Sequence, residues 1–182
     1  MKIAVVGHGP LTRGLAPVGK DGWLTWGISH REWQREVLYG KVRGFDVLWE
    51  CHDWRPESPE YQEFFDRHNV RRPDKAACSE LVGAEGIKSS ISWMIAEAIL
   101  CKPDEISIYG CDSRVIQEKE YNKQIPNIKF LLGYAEGAGI KVSAPEQCGL
   151  FDSIIYGVEN HNKSGFEQFV IDHGPAKKQA AF

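Results

Sequence analysis

The sequence has no pair of cysteines at C-x-x-C spacing, and its five cysteines, Cys51, Cys78, Cys101, Cys111 and Cys148, are odd in number and scattered. Neither a disulfide framework nor a zinc ribbon fits that distribution, and scattered thiols suit a reducing compartment. No apolar run approaches the roughly 20 residues that a membrane helix needs. No leader-like segment opens the chain, because Met1-Lys2 runs straight into an apolar stretch. The expectation is a cytoplasmic protein with no membrane partner and no bound metal. An excess of positive charge is missing too: 22 Lys and Arg stand against 25 Asp and Glu, for a net charge of −3. Duplex binding relies on a basic stripe, so this balance gives no support to a nucleic-acid partner. The short basic cluster Arg67, His68, Arg71 and Arg72 reads as a solvated helix end. Two familiar phosphate loops are absent as well. No G-K-[ST] follows the first glycines, and Thr12 stands where G-x-G-x-x-G would need its third glycine.

What is present is a chain of 182 residues that are 42% hydrophobic and 26% charged, enough for one core-bearing domain with, at most, a small appendage. The run Ile3 to Val6 is continuously apolar and ends at Gly7, the pattern of a strand buried on both faces. Trp23 to Ile28 is a second apolar segment. Ser29 is placed to cap a helix over Arg31 to Tyr39, which Gly40 stops. Phe45 to Trp49 reads as a strand, residues 54–60 as a proline-bearing loop, and Tyr61 to His68 as a short helix. Residues 69–88 carry no clear pattern. Ser89 and Ser90 precede Ile91, Met94, Ile95, Ala98 and Ile99, a helical stripe. Ile106 to Tyr109 is the next strand, and residues 110–124 read as a polar connection. Pro126 is placed at the first position of a helix bearing Ile128, Leu131, Leu132 and Ala135 on one face, and Ile140 to Val142 is a further strand.

Alternation of strand and helix with short links predicts an α/β fold: a single Rossmann-like domain with a mostly parallel sheet flanked by helices. Residues 1–158 are assigned to it, and 159–182 to a C-terminal extension or docking tail. The tail and residues 69–88 are candidates for subunit contacts in a homo-oligomer.

Ligands of open α/β sheets bind beyond the carboxyl ends of the strands. The loop from Gly7 through His8, Gly9 and Pro10 to Thr12 meets that condition. Its glycines let backbone approach a phosphate or ribose closely, and Thr12 adds a hydroxyl. A tight turn is the competing reading. Ser89 and Ser90 offer hydroxyls and amides at a helix start, an anion site or an ordinary cap. Asp112 and Arg114 follow a strand and fit ribose and phosphate respectively, or pair with each other. Glu120 and Tyr121 come from the same connection. Glu50, Cys51, His52 and Asp53 close another strand. His52, with Asp53, is the candidate acid/base, since histidine titrates near neutrality. Trp54 is the candidate base-stacking residue. Neighbours in an extended chain point to opposite faces, which argues against Cys51, His52 and Asp53 as one zinc site.

Together, Val-Val-Gly-His-Gly-Pro at 5–10, Trp-Glu-Cys-His-Asp at 49–53, Ser-Ser-Ile-Ser-Trp-Met-Ile-Ala at 89–96, Ile-Tyr-Gly-Cys-Asp at 108–112, Glu-Tyr at 120–121 and Leu-Gly-Tyr-Ala-Glu-Gly-Ala-Gly-Ile at 132–140 resemble a family of bacteriophage Rossmann-like proteins. That family is similar, more distantly, to sialyltransferase-like and flagellin-glycosyltransferase-like proteins that bind a nucleotide-linked donor. The resemblance implies a nucleotide site lined by Gly7, Gly9, Pro10, Ser89, Ser90 and Asp112, and a phage gene product working in the host cytoplasm. Leu11 stands where the glycosyltransferase-like loop has serine, and Ser113 where the phage proteins have methionine. The ligand expected is a nucleotide or nucleotide-sugar, with no further cofactor assigned. Three functions follow from it: transfer from, or cleavage of, that ligand; sequestration of a nucleotide immune signal without turnover; or a virion or interaction protein.

Overall fold

Strand β1, Lys2–Val6, is buried from Ile3 to Val6 on both faces, as its unbroken apolar run requires. In the computed structural model it lies inside a six-stranded sheet of order β4-β3-β2-β1-β5-β6. The other strands are β2 (Trp23–Ile28), β3 (Val47–Trp49), β4 (Val70–Arg71), β5 (Glu105–Tyr109) and β6 (Lys141–Ser143). Every neighbouring pair is parallel, with Val5 opposite both Trp26 and Ile108. The structure describes residues 1–52, 58–83, 87–112 and 119–151, with 119–123 given as backbone only. Met1–Leu150 forms one compact unit, and Phe151–Phe182 is assigned to a second. The fold is α/β with a single parallel sheet between helices, as the alternating pattern predicts.

Five helices are described: α1 (Ser29–Tyr39), α2 (Pro59–Arg67), α3 (Lys75–Val82), α4 (Ser90–Leu100) and α5 (Lys119–Gly137). Side chains alternate across a strand, so each face has its own cover. Ile3, Val5, Trp26, Ile28, Ile106 and Ile108 pack with Met94, Ile95 and Ala98 of α4 and Leu131 and Leu132 of α5. Leu48 points the other way, to Tyr61 and Phe64 of α2, with Trp33 of α1 alongside.

Several local expectations change. Ser29 is the first residue of α1 rather than its cap; its hydroxyl goes into the core, to Glu50 and Tyr61. Pro59 belongs to a helix rather than a loop, because Ser58 accepts from the Tyr61 amide and leaves the proline where no N–H is needed. The unassigned stretch 69–88 contains β4 and α3, the latter capped by Asp74. Helix α5 starts well before Pro126, which lies inside it. The Glu, Lys and Gln of 119–124 are good helix formers, and they extend the helix into what reads as a polar connection. No α-helix separates β1 from β2; one 3₁₀ turn, Arg13–Leu15, serves instead.

The chain runs outward from β1 through β4, then returns to place β5 on the other side of β1. The loops leaving β1 and β5 therefore diverge at the topological switch point, where such sheets open a crevice. Two glycines bring these strand ends together. A Cβ on Gly7 would sit 2.5 Å from the Gly110 carbonyl oxygen, and Gly110 itself has φ +64°. Gly7→Ala is expected to cost about 1–3 kcal/mol of stability, read as a lowered urea midpoint with an unchanged slope. An unchanged midpoint would mean the two backbones separate freely.

Candidate functional site

The switch point opens into a cleft of about 620 Å³. Gly7 and His8 enter it from the end of β1, Cys51 and His52 from β3, and Gly110, Cys111 and Asp112 from β5. Ser89 and Ser90 line it from the start of α4, with Cys51 Sγ 3.6 Å from the Ser90 carbonyl oxygen. The cleft thus brings together residues from loops that are far apart in sequence. Gly9, Pro10 and Thr12 do not line it. Asp53, Trp54 and Arg114 lie outside the described residues, and so do the side chains of Glu120 and Tyr121.

Asp112 and Thr12 explain the shape of the first loop. Both are fully buried. The Asp112 carboxylate accepts from the Leu11 amide at 2.6 Å and the Thr12 hydroxyl at 2.5 Å, and Thr12 Oγ1 in turn accepts from the Gly110 amide at 2.7 Å. A Cβ on Gly9 would collide with the Asp112 carboxylate. Asp112 lines the cleft while its carboxylate also holds the loop, and Thr12 faces inward. The glycine at 9 is required by this clamp.

Helix α4 presents its N-terminus to the cleft. Ser89 caps it, accepting from the Ser92 amide at 3.1 Å, and Ser92 Oγ donates to Asn127 of α5. The amides of Ser90 and Ile91 come before the first intrahelical bond and lie at the positive end of the helix dipole. Lys88 and Arg31 line the same space. Ile28, Ile87, Ile91, Trp93, Ile125 and Ile128 give it an apolar wall, a combination of surfaces suited to a phosphate and a flat organic moiety.

At the end of β3 a buried carboxylate holds a histidine. Glu50 is 2% exposed. Its Oε2 accepts from the Tyr61 hydroxyl at 2.5 Å and from Ser29 at 2.9 Å. Its Oε1 meets His52 Nδ1 at 2.8 Å and accepts from the His52 amide at 2.9 Å. Burial alone would raise the carboxyl pKa of Glu50, but hydrogen bonds from Tyr61 and His52 outweigh it and hold the group below the usual range. An ionised Glu50 fixes Nδ1 of His52 as the protonated nitrogen. Proton exchange is then assigned to Nε2 on the other edge of the ring.

Two further histidines, His30 and His8, line the cleft. His30 packs edge-on against His52 with ring centroids 5.4 Å apart. Burial, then the nearby Arg31, push His30 down to about 4. Burial, then Arg31 and His30, push His8 down to about 3. Both rings are neutral at pH 7. His8 Nε2 and His30 Nδ1 are buried without a hydrogen-bond partner among the described residues. Between pH 6.5 and about 3 the unfolded chain binds a proton at position 8 that the folded chain refuses. Stability therefore rises with pH across that window and is lost on acidification, by at most about 1.4 kcal/mol per pH unit for this group. His8→Asn is expected to flatten the fall of the urea midpoint between pH 6 and pH 4. An identical slope in the variant would mean that folded His8 protonates normally.

Arg31, His30 and Lys88 were not legible as site residues in the sequence. The pointer was available, since His30 and Arg31 follow the carboxyl end of β2 just as His8 follows β1. The helix pattern of 31–39 concealed it. Burial raises the cleft thiols: Cys51 to about 12, and Cys111 in the same direction. Neither is a thiolate nucleophile at neutral pH. Among the described residues no three potential metal ligands cluster, and no helix is long and apolar enough to cross a membrane.

The chain matches no protein-family profile and no curated protein sequence. Among solved structures it is similar to an alpha-2,3/8-sialyltransferase, with a TM-score of 0.47, 14% identity and coverage of 82% of each chain. At that distance the neighbour's chemistry does not transfer to this chain.

Proposed function

We propose that the protein binds a nucleotide or nucleotide-sugar in the cleft between β1 and β5, and that the Glu50–His52 pair performs acid/base chemistry on it. The observation that carries this reading is the pairing of His52 Nδ1 with a buried carboxylate at 2.8 Å, in a cleft that a helix N-terminus also lines. A buried carboxylate orients the imidazole and stabilises the imidazolium that forms during reaction. The helix amides and Lys88 offer the positive field that a phosphate needs. The apolar wall around Ile91 and Trp93 accommodates a base or sugar ring.

In a transfer reaction His52 Nε2 takes the proton of an attacking hydroxyl. That oxygen bonds to the anomeric carbon, the bond from this carbon to phosphate oxygen breaks, and the electron pair leaves with the nucleotide phosphate. With water as the attacking group the same steps are hydrolysis. In both cases negative charge grows at the leaving phosphate, where a field fixed in advance lowers the barrier.

A thermal-shift panel of nucleotides and nucleotide-sugars, followed by recovery of the ligand, tests the reading. Ligand at about 100 times its dissociation constant stabilises the fold by about 2.7 kcal/mol. A shift with converted ligand is expected. A shift with intact ligand would remove the acid/base step and leave holding alone, as in sequestration of a nucleotide signal. No shift with any member of the panel would remove the ligand.

A further inference from the structure

A second hollow of about 520 Å³ adjoins the cleft and shares His8 and Arg31 with it. Its cations are Arg13, from the 3₁₀ turn after β1, Arg31 and Arg35 of α1, and Lys41 just beyond α1. Its one acidic lining residue is Glu32, whose carboxylate is buried and accepts from the Arg43 amide at 3.0 Å. Among the described residues none of the four cations forms an ion pair. Arg31 reaches only Gln34, at 3.3 Å; Arg35 lies over the Tyr39 ring at 5.7 Å, with its Nε buried and unpartnered. Three cations outside the groove are matched: Arg67 pairs with Glu36 and Glu63, and Lys2 and Lys141 with Glu105.

In a chain carrying more acids than bases, four converging unpaired cations are an electrostatic cost to the folded state. The crowding reaches their surroundings. Arg43 is pushed down by burial and then by Arg13, and His8 by burial and then by several of these same cations. A multiply charged anion relieves that repulsion, and guanidinium groups match phosphate in geometry as well as charge.

We propose that this groove is a polyphosphate subsite, so that cleft and groove form one bipartite site joined at His8 and Arg31. The link between the two halves rests on the cleft being the nucleotide site; the anion chemistry of the groove does not. The phosphates belong either to an extended nucleotide or to a second, phosphorylated reactant.

The test titrates tripolyphosphate into the full-length protein by calorimetry at about 50 mM and about 300 mM salt. Binding that weakens steeply with salt is expected, as is loss of at least about tenfold in affinity in the Arg13→Gln/Arg35→Gln double variant, the equivalent of one 1.4 kcal/mol step. Arg13→Lys/Arg35→Lys keeps the charge and is expected to retain most of the affinity, which separates a lost anion site from a misfolded one. Absence of binding to the wild type at low salt would overturn the proposal, and so would undiminished binding in the glutamine variant. Repeating the titration with AMP, CMP, GMP or UMP present identifies the source. Competition supports phosphates of one extended ligand, and additive binding supports a second reactant. Tripolyphosphate binding with no response to any nucleotide would keep the groove and overturn the nucleotide reading of the cleft.

Discussion

Replacing His52 by alanine is expected to lower kcat by about 100- to 10,000-fold, the usual worth of a positioned acid/base group, while the ligand still binds. His52 is at the edge of the cleft, with its side chain 43% exposed, so the loss of the ring leaves the core intact. The expected change falls on kcat and spares KM, because the imidazole acts on the proton in flight rather than on the resting ligand. Glu50→Gln is the positioning counterpart. It keeps an acceptor for Tyr61 and Ser29 but removes the charge that orients His52 and stabilises its protonated form. A smaller loss, about 10- to 100-fold, is expected together with a displaced pH–rate profile. A variant that only loosened the fold would lower activity without moving that profile. Equal kcat in His52→Ala and wild type would take His52 out of the reaction.

The second large effect concerns the clamp under the first loop. Asp112→Ala removes the acceptor of the part-buried Leu11 amide and of the buried Thr12 hydroxyl, leaving both donors unmatched. A loss of about 3 kcal/mol in unfolding free energy is expected. The nucleotide affinity falls with it, because Gly7 and His8 are held in the cleft by this loop. Gly9→Ala is expected to be comparably harmful, since its methyl meets the same carboxylate. The two changes are therefore non-additive: in a double-mutant cycle Gly9→Ala costs less once Asp112 is alanine. Additive losses would mean that the collision is relieved by movement of the loop instead.

Five of the six strands were legible because they are short, continuous and largely apolar, whereas β4, Val70–Arg71, is too short and too polar to show. Ile3 to Val6 and Ile106 to Tyr109 have no other stable destination than between neighbours buried on both faces. The start of α4 was legible from Ser89, whose hydroxyl caps the helix in the predicted way. Helix α3 was not, because Lys75–Val82 is short and depends for its start on a cap by Asp74 amid proline and charge. Pro126 misplaced the beginning of α5, because the helix-forming residues before it start the helix earlier and leave the proline inside. At the site, Gly7, His8 and His52, at strand ends, share one cleft with Ser89 and Ser90, at a helix start. The glycines were legible as necessary, although part of the cause was hidden. Gly7 answers to Gly110 and Gly9 to Asp112, contacts about a hundred residues apart that local pattern does not encode. The Glu50–His52–Tyr61–Ser29 cluster was partly visible as polar residues ending a strand. Its connectivity needed the fold, since Tyr61 and Ser29 come from helices on the opposite side of the sheet from α4.

The most direct measurement is a crystal structure of the protein soaked with the nucleotide that stabilises it best. The phosphate is expected against the Ser90 and Ile91 amides, with the organic ring along Ile91 and Trp93 and a reacting atom within hydrogen-bond reach of His52 Nε2. Nucleotide bound on any other face, with the space between His8 and Ser90 filled by protein side chains, would contradict the assignment of this cleft.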